Sequence, residues 1–302
     1  MCANRNAQKR LVVGIGELLW DLLPAGKQLG GAPMNFAYHA KAMGADAAVA
    51  SCVGDDALGR EILSRLDALG VDRRHVAVHP SAPTGTVEVR LDAKGVPDFI
   101  IHQNVAWDAI SGTTELMELA GRADAVCFGS LAQRGQASRA TIRGFLKATR
   151  PECVRVFDIN LRQSYFSREV LEESLRASEV LKLNDQELPV LTGLLGGALA
   201  GAKDDSEAVE QLMRVYSLRM VALTRGGTGS RLYVPGRMFE HPGYPAEVVD
   251  TVGAGDAFTA ALTMGLLRGD EPARINETAN RLASYVCTQA GATPPIPAGL
   301  IG

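Results

Sequence analysis

The 302-residue chain has no long run of like charge, and its net charge is only −3. That argues against a nucleic-acid partner or a membrane surface and in favour of a small molecule. No apolar segment approaches the roughly 20 residues of a membrane span. The run 11-LVVGIGELLWDLLPAG-26 is interrupted by Glu17 and Asp21 and leads to no small-residue cleavage site, so it does not match a secretory signal. Five cysteines (Cys2, Cys52, Cys127, Cys153, Cys287) show no CxxC spacing. An odd, scattered set fits reduced thiols and a cytoplasmic location better than a disulfide framework. Several motifs are also missing. 14-GIGELL-19 lacks the third glycine of a dinucleotide fingerprint, and no P-loop, GxSxG or HExxH occurs. His75 and His79 are four apart but lie in a strand-like segment, which does not make a helical metal pair. With no linker, repeat or low-complexity tract, residues 1–302 read as one domain.

What is present is a 46% hydrophobic chain in which strand-length apolar runs alternate with segments of helical period. Strands are expected at 11–16, 47–54, 124–130, 153–160, 179–184 and 219–226. Helices are expected at 33–43, 57–69, 136–148, 168–177, 204–216, 254–268 and 273–290, two of them stopped by Gly44 and Gly70. The alternation predicts an α/β fold with a mostly parallel sheet. One stretch departs from it: 84-TGTVEVRLDAKGVPDFIIHQNVAWD-108 reads as a β hairpin turning at 92-DAKGVP-97, a flap over the single core. About 17–30 contributes to the same lid.

Ligands of open α/β sheets bind beyond the carboxyl ends of the strands. Asp21, Gly30, Gly31, Asn160, Arg162, Asn184, Glu187 and 224–229 all follow strands there, although loops are polar in any protein. The sharpest feature is 253-GAG-255 ahead of the helix 256-DAFTAALTMGLL-267. Small residues in a first helical turn leave backbone N–H groups open to an anion. Asp256 in that turn is expected to be kept ionised by the helix dipole and to accept a proton from a hydroxyl. An acid at that place is more often a structural cap.

The stretch 250-DTVGAGDAF-258 resembles the C-terminal signature of the PfkB, or ribokinase-like, carbohydrate kinases. The segment 30-GGAPMNFAYHAKAMGADAAVASCVGDDALGREI-62 resembles their N-terminal signature, with Gly30, Gly31, Asn35, Gly44 and 54-GDDALG-59 in place. The resemblance implies a three-layer α/β/α sandwich with a small β-flap lid. It implies that Asp256 is the catalytic base and that Gly253, Ala254 and Gly255 form the anion hole. On the sugar side it points to Asp21, Gly30, Gly31, Asn35, Asn160 and Arg162, with Arg162 the residue that meets a phosphate. For ATP it points to Asn184, Thr224, Gly226, Gly227, Gly229 and Asn280, the last on the adenine side. Glu187, in 184-NDQE-187, would organise Mg2+ indirectly, and Asp250 with the Val252 backbone would form part of a monovalent-cation (K+) site.

The flap and 16-GELLWDLLP-24 resemble bacterial fructokinases, and the second flap strand carries no arginine for a sugar acid. The resemblance therefore implies transfer of the ATP γ-phosphate to D-fructose. Another sugar, 2-keto-3-deoxygluconate or a nucleoside would be an alternative substrate, and a catalytically silent binding protein an alternative class. Trp107 either packs on the sugar or anchors the flap. Val87, Val89 and Leu91 would suit a homodimer through the flap, or would face the sugar cleft.

Overall fold

Along the short central strands, successive apolar residues point to opposite cores. Val12, Val156, Val180 and Ala222 pack into one cluster, and Val13, Phe157, Leu181 and Leu223 into another. Strands buried on both faces need helices on both. The computed structural model, which describes residues 9–23, 26–91, 97–197 and 201–301, has that arrangement. Its strands are β1 (Leu11–Ile15), β2 (Leu19–Leu23), β3 (Gly26–Gly30), β4 (Asp46–Gly54), β5 (Asp72–His79), β6 (Gly85–Leu91), β7 (Pro97–Ile101), β8 (Ala125–Phe128), β9 (Val154–Asp158), β10 (Val180–Asn184), β11 (Met220–Thr224), β12 (Ser230–Val234) and β13 (Arg237–His241). The helices are α1 (Ala32–Ala42), α2 (Ala57–Leu69), α3 (Thr114–Arg122), α4 (Gln136–Ala148), α5 (Arg168–Arg176), α6 (Glu187–Leu195), α7 (Asp205–Tyr216), α8 (Ala254–Arg268) and α9 (Pro272–Cys287).

Nine strands form the main sheet in the order β13-β12-β11-β10-β9-β8-β1-β4-β5, parallel from β11 to β5 and antiparallel only at β12 and β13. Helices α1, α8 and α9 supply the core on one face, and α3 to α7 supply it on the other. The α/β/α class expected from the alternation is therefore what forms. Helix starts are set locally: the Asp56, Thr113, Ser167 and Asp204 side chains each accept an N–H of the first turn of α2, α3, α5 and α7.

A second sheet, β3-β2-β6-β7, stands on the main one. The hairpin of β6 and β7 lies within 84–108, and β2 pairs with β6 in parallel, so 19–30 joins the flap. The turn 92–96, the side chains of Val89, Arg90 and Leu91, and Cys2 lie outside the described residues. Trp107 is fully buried at the root of this sheet, against Gly85 and beneath the Arg134 guanidinium. This places it as an anchor rather than a sugar platform. Cys52, Cys127, Cys153 and Cys287 are free thiols, the first three buried.

Candidate active site

Helix α8 begins at Gly253, whose φ of 79° is the left-handed region that glycine adopts at least cost. A Cβ there would also sit 2.7 Å from Ala292, so the turn accepts only glycine without moving its neighbour. The Ala254 N–H closes a turn on the Thr251 carbonyl at 3.3 Å, and the next N–H groups have no helical carbonyl upstream to bond. Of the three expected donors, Ala254 is thus engaged within the turn, and Gly255 has no helical partner. Asp256 follows in the same turn. Its Oδ2 accepts from Nδ2 of Asn35 at 2.8 Å, which joins the two sequence signatures across the cleft.

The Asp256 carboxyl is not held low by the helix, as the dipole argument expects. Burial pushes its pKa up to about 6, and Asp158 adds to the rise; Asn35, Lys182 and Arg162 pull the other way. A base with a pKa near neutrality is better matched to proton abstraction than one near 4.

On the sugar side, Asp21 in β2 lies flush with the diglycine: a Cβ at Gly30 would fall 2.3 Å from Asp21 Oδ2. Gly31, with φ 115°, caps α1, and a Cβ there would strike the Glu17 carbonyl at 2.4 Å. Burial raises Asp21 to about 6, against the pull of Arg162 and with a push from Asp250. Arg162 is exposed, yet its charge reaches Asp21, Asp256 and Glu17 alike. It stands beside Asn160 and Gln163, both at left-handed φ (42° and 49°), a bend that sets the guanidinium off the end of β9.

Glu17 is a site residue that the motif reading missed, although its interruption of an apolar run was a visible signal. It is 3% exposed, its Oε2 has no partner, and burial lifts its pKa to about 7, with Asp256 adding to the effect. The backbone N–H of Ala32, at the start of α1, bonds its carboxyl. Lys182 was also missed, though it is the lone charge in 180-VLKLN-184. So was the role of Asp158, which lies in 158-DINLR-162 but faces inward instead of toward substrate. Lys182 Nζ donates to Asp158 Oδ1 at 3.0 Å, and Thr259 Oγ1 of α8 donates to Oδ2 at 2.8 Å.

At the other end of the cleft, Asn184 and Glu187 cap α6 reciprocally. Asn184 Oδ1 accepts the Gln186 and Glu187 N–H groups at 2.9 and 2.8 Å, while Glu187 accepts the Asn184 N–H at 2.8 Å and the Leu161 N–H at 2.9 Å. With both carboxylate oxygens on backbone, Glu187 ties the Arg162 loop to this turn. Among the described residues no three His, Cys, Asp or Glu side chains are grouped to hold a metal. Thr224 ends β11, and Gly226 (φ 53°) and Gly227 face open space where a Cβ would meet nothing within 4 Å. Gly229 (φ 82°) is packed 2.0 Å from the His241 carbonyl by the same test.

Asn280 is 7% exposed, and its amide nitrogen donates to Ser230 Oγ and the Asn276 carbonyl, both at 2.7 Å. It clamps α9 to β12, so its donors are spent inside the protein. Asp250 Oδ1 and Oδ2 accept the N–H groups of Val252 and Gly291 at 3.0 and 3.1 Å. The carboxylate thus shapes the loop, leaving carbonyls there as the candidate ligands for a monovalent cation.

A model of the pfkB family carbohydrate kinases matches residues 24–299. The chain belongs to that family. An uncharacterized sugar kinase of Pyrococcus horikoshii is 28% identical over 93% of this chain and 91% of its own. The structure of that sugar kinase in complex with ATP superposes with a TM-score of 0.78 over 94% of both chains. Fructokinase-1 of Zea mays is 29% identical over 96% of each chain. The fold is shared with the fructokinase of Xylella fastidiosa, at 20% identity, with a TM-score of 0.81 over 96% of this chain and 95% of that one. The protein is thus an ATP-dependent sugar kinase of the pfkB family, and among its described residues no helix is long and apolar enough to cross a membrane.

Proposed function

We propose that this kinase transfers the γ-phosphate of MgATP to the 6-hydroxyl of D-fructose, with Asp256 as the general base. The observation that carries the proposal is the Asn35–Asp256 bond at the start of α8, which sets a carboxyl beside a helix N-terminus. Asp256 takes the proton of the sugar hydroxyl as its oxygen forms a bond to the γ-phosphorus. The bond from phosphorus to the β–γ bridging oxygen breaks and ADP leaves. The first-turn N–H groups of α8 would stabilise the charge that develops on the transferred group. Gly226 and Gly227 leave room for the nucleotide, whose phosphates bring the divalent cation. The second sheet would close over the sugar and keep out water.

The charge of the sugar side supports a neutral sugar. Glu17, Asp21 and Asp256 are raised carboxyls with Arg162 as the cation whose charge reaches all three. Such a site bonds hydroxyl groups and repels a second carboxylate. The maize relative's name points to the same sugar.

Coupled ADP release with MgATP and K+ against fructose, ribose, 2-keto-3-deoxygluconate, fructose 6-phosphate and adenosine tests the reading. Fructose turnover that vanishes in Asp256→Asn is the expected result. Preference for another substrate overturns the assignment of the sugar, and turnover surviving in Asp256→Asn overturns the base.

A further inference from the structure

Lys182 lies in the middle of β10, a strand whose other residues are apolar but for its terminal Asn184. Its side chain is 9% exposed and that of Asp158 is 5% exposed. Burial alone would favour a neutral amine, but Asp158 and Glu187 hold the Lys182 pKa above the ordinary lysine value. The ammonium does more than neutralise Asp158. A Cβ built on Gly255 would fall 3.0 Å from Nζ, so the charge stands directly behind the third residue of the anion hole. Gly255 has no positive φ to explain a glycine there; the space its side chain would need is filled by Lys182. Thr259 Oγ1 bridges Asp158 Oδ2 and the Gly255 carbonyl, at 2.8 and 3.0 Å, and so ties the pair to the first turn of α8.

We propose that Lys182 is a positioning residue of the phosphoryl-transfer site, its ammonium anchored by Asp158 behind Gly255 so that a fixed positive charge backs the anion hole and acts on Asp256. This rests on the kinase reading above. An ion pair that only held β9 to β10 would not need contact with the helix N-terminus. The charge adds to the field of the first-turn N–H groups where negative charge develops. The groups that face or influence Asp256 are Asn35 from α1, Glu17 beyond β1, Cys127 from β8, Asp158 from β9, Arg162 from the following loop and Lys182 from β10. Of these, Asp158 and Lys182 act on it with opposite sign.

That opposition supplies the test. The Asp256 carboxyl is titrated by NMR in unliganded protein carrying 13C-labelled aspartate, its resonance assigned by its loss in Asp256→Asn. ADP release is measured on the same preparations. Lys182→Gln is expected to raise the Asp256 midpoint by about one pH unit and to lower turnover at the optimum by roughly tenfold or more. Adding Asp158→Asn should return the midpoint to the wild-type value or below, because the unpaired anion is gone, while turnover stays low because the ammonium is still missing. An unmoved midpoint in Lys182→Gln overturns the inference, as does wild-type turnover in the double variant. If Lys182→Gln alone fails to fold, the neutral amide pair of the double variant carries the test through its turnover. If the wild type releases no ADP with any sugar, the kinase reading fails, and the midpoint still decides whether the ammonium acts on Asp256.

Discussion

Around Asp256 the cleft is built from side chains that carry charge, whereas around 224–229 it is built from backbone. The first region gathers Glu17, Asp21, Asp256 and Arg162 from three separate parts of the chain, and burial shifts the carboxyls toward neutrality. The second is one continuous turn of glycines after β11, with Asn184 and Glu187 capping a helix beside it. Charge gathered in this way tunes reactivity at a chosen pH, and bare backbone tunes approach and shape. The two regions should therefore fail in different ways when altered.

The largest effect is expected on the charged side. Asp256→Asn should reduce turnover by about 100- to 10,000-fold with the fold retained, and a residual rate above that range would break the contrast. For the wild type, kcat/KM should rise with pH through about 6 as Asp256 loses its proton.

Stability should run the opposite way. Glu17 titrates near 7 in the fold against 4.5 for the ordinary side chain, so its folded form is favoured while protonated. That stability is complete below pH 4.5 and is lost as pH rises through 7. Asp21 and Asp256, each raised from 3.8 to about 6, act alike at lower pH. Calorimetry of Glu17→Gln should show a flatter dependence of Tm on pH between 5 and 8 and a gain at pH 8, on the order of 3 kcal/mol at most. A steeper dependence in the variant would remove Glu17 from the account.

On the backbone side, Gly229→Ala meets both a left-handed φ and the His241 carbonyl, so a loss of about 1–3 kcal/mol is expected. It should come with a higher KM for ATP and an unchanged acid limb. Gly227→Ala points into open space and should change stability by less than about 0.5 kcal/mol. A shift of the acid limb in either glycine variant would show that the two regions are not separable.

The central strands and seven helices were legible because apolar runs and their caps are local signals. Helix α6 was not, since Pro189 and Gly193 argue against it and its burial comes from packing. Helix α3 is short and contains Gly121. Strand β2 was hidden because only 16–18 separate it from β1, leaving no turn signal of ordinary length between the two apolar stretches. Strands β12 and β13 add antiparallel to the sheet's edge and carry polar residues in between, which blurs any buried-strand pattern. In the site, Asp256 and Asn35 were legible as motif members. Glu17 and Lys182 were not, because a charge within an apolar run acquires meaning only when the fold shows what surrounds it. The same holds for Asn280, whose bonds to Ser230 and Asn276 no sequence pattern announces.

The bond between Asn35 and Asp256 joins residues 221 positions apart. During synthesis, the strands, the diglycine and the glycine turn at 224–229 all leave the ribosome before α8 does. Of the two partners in that bond, the carboxyl is therefore the one made last. The core on that face of the sheet, and with it the Asn35–Asp256 bond, is complete only once α8 and α9 have packed beside α1.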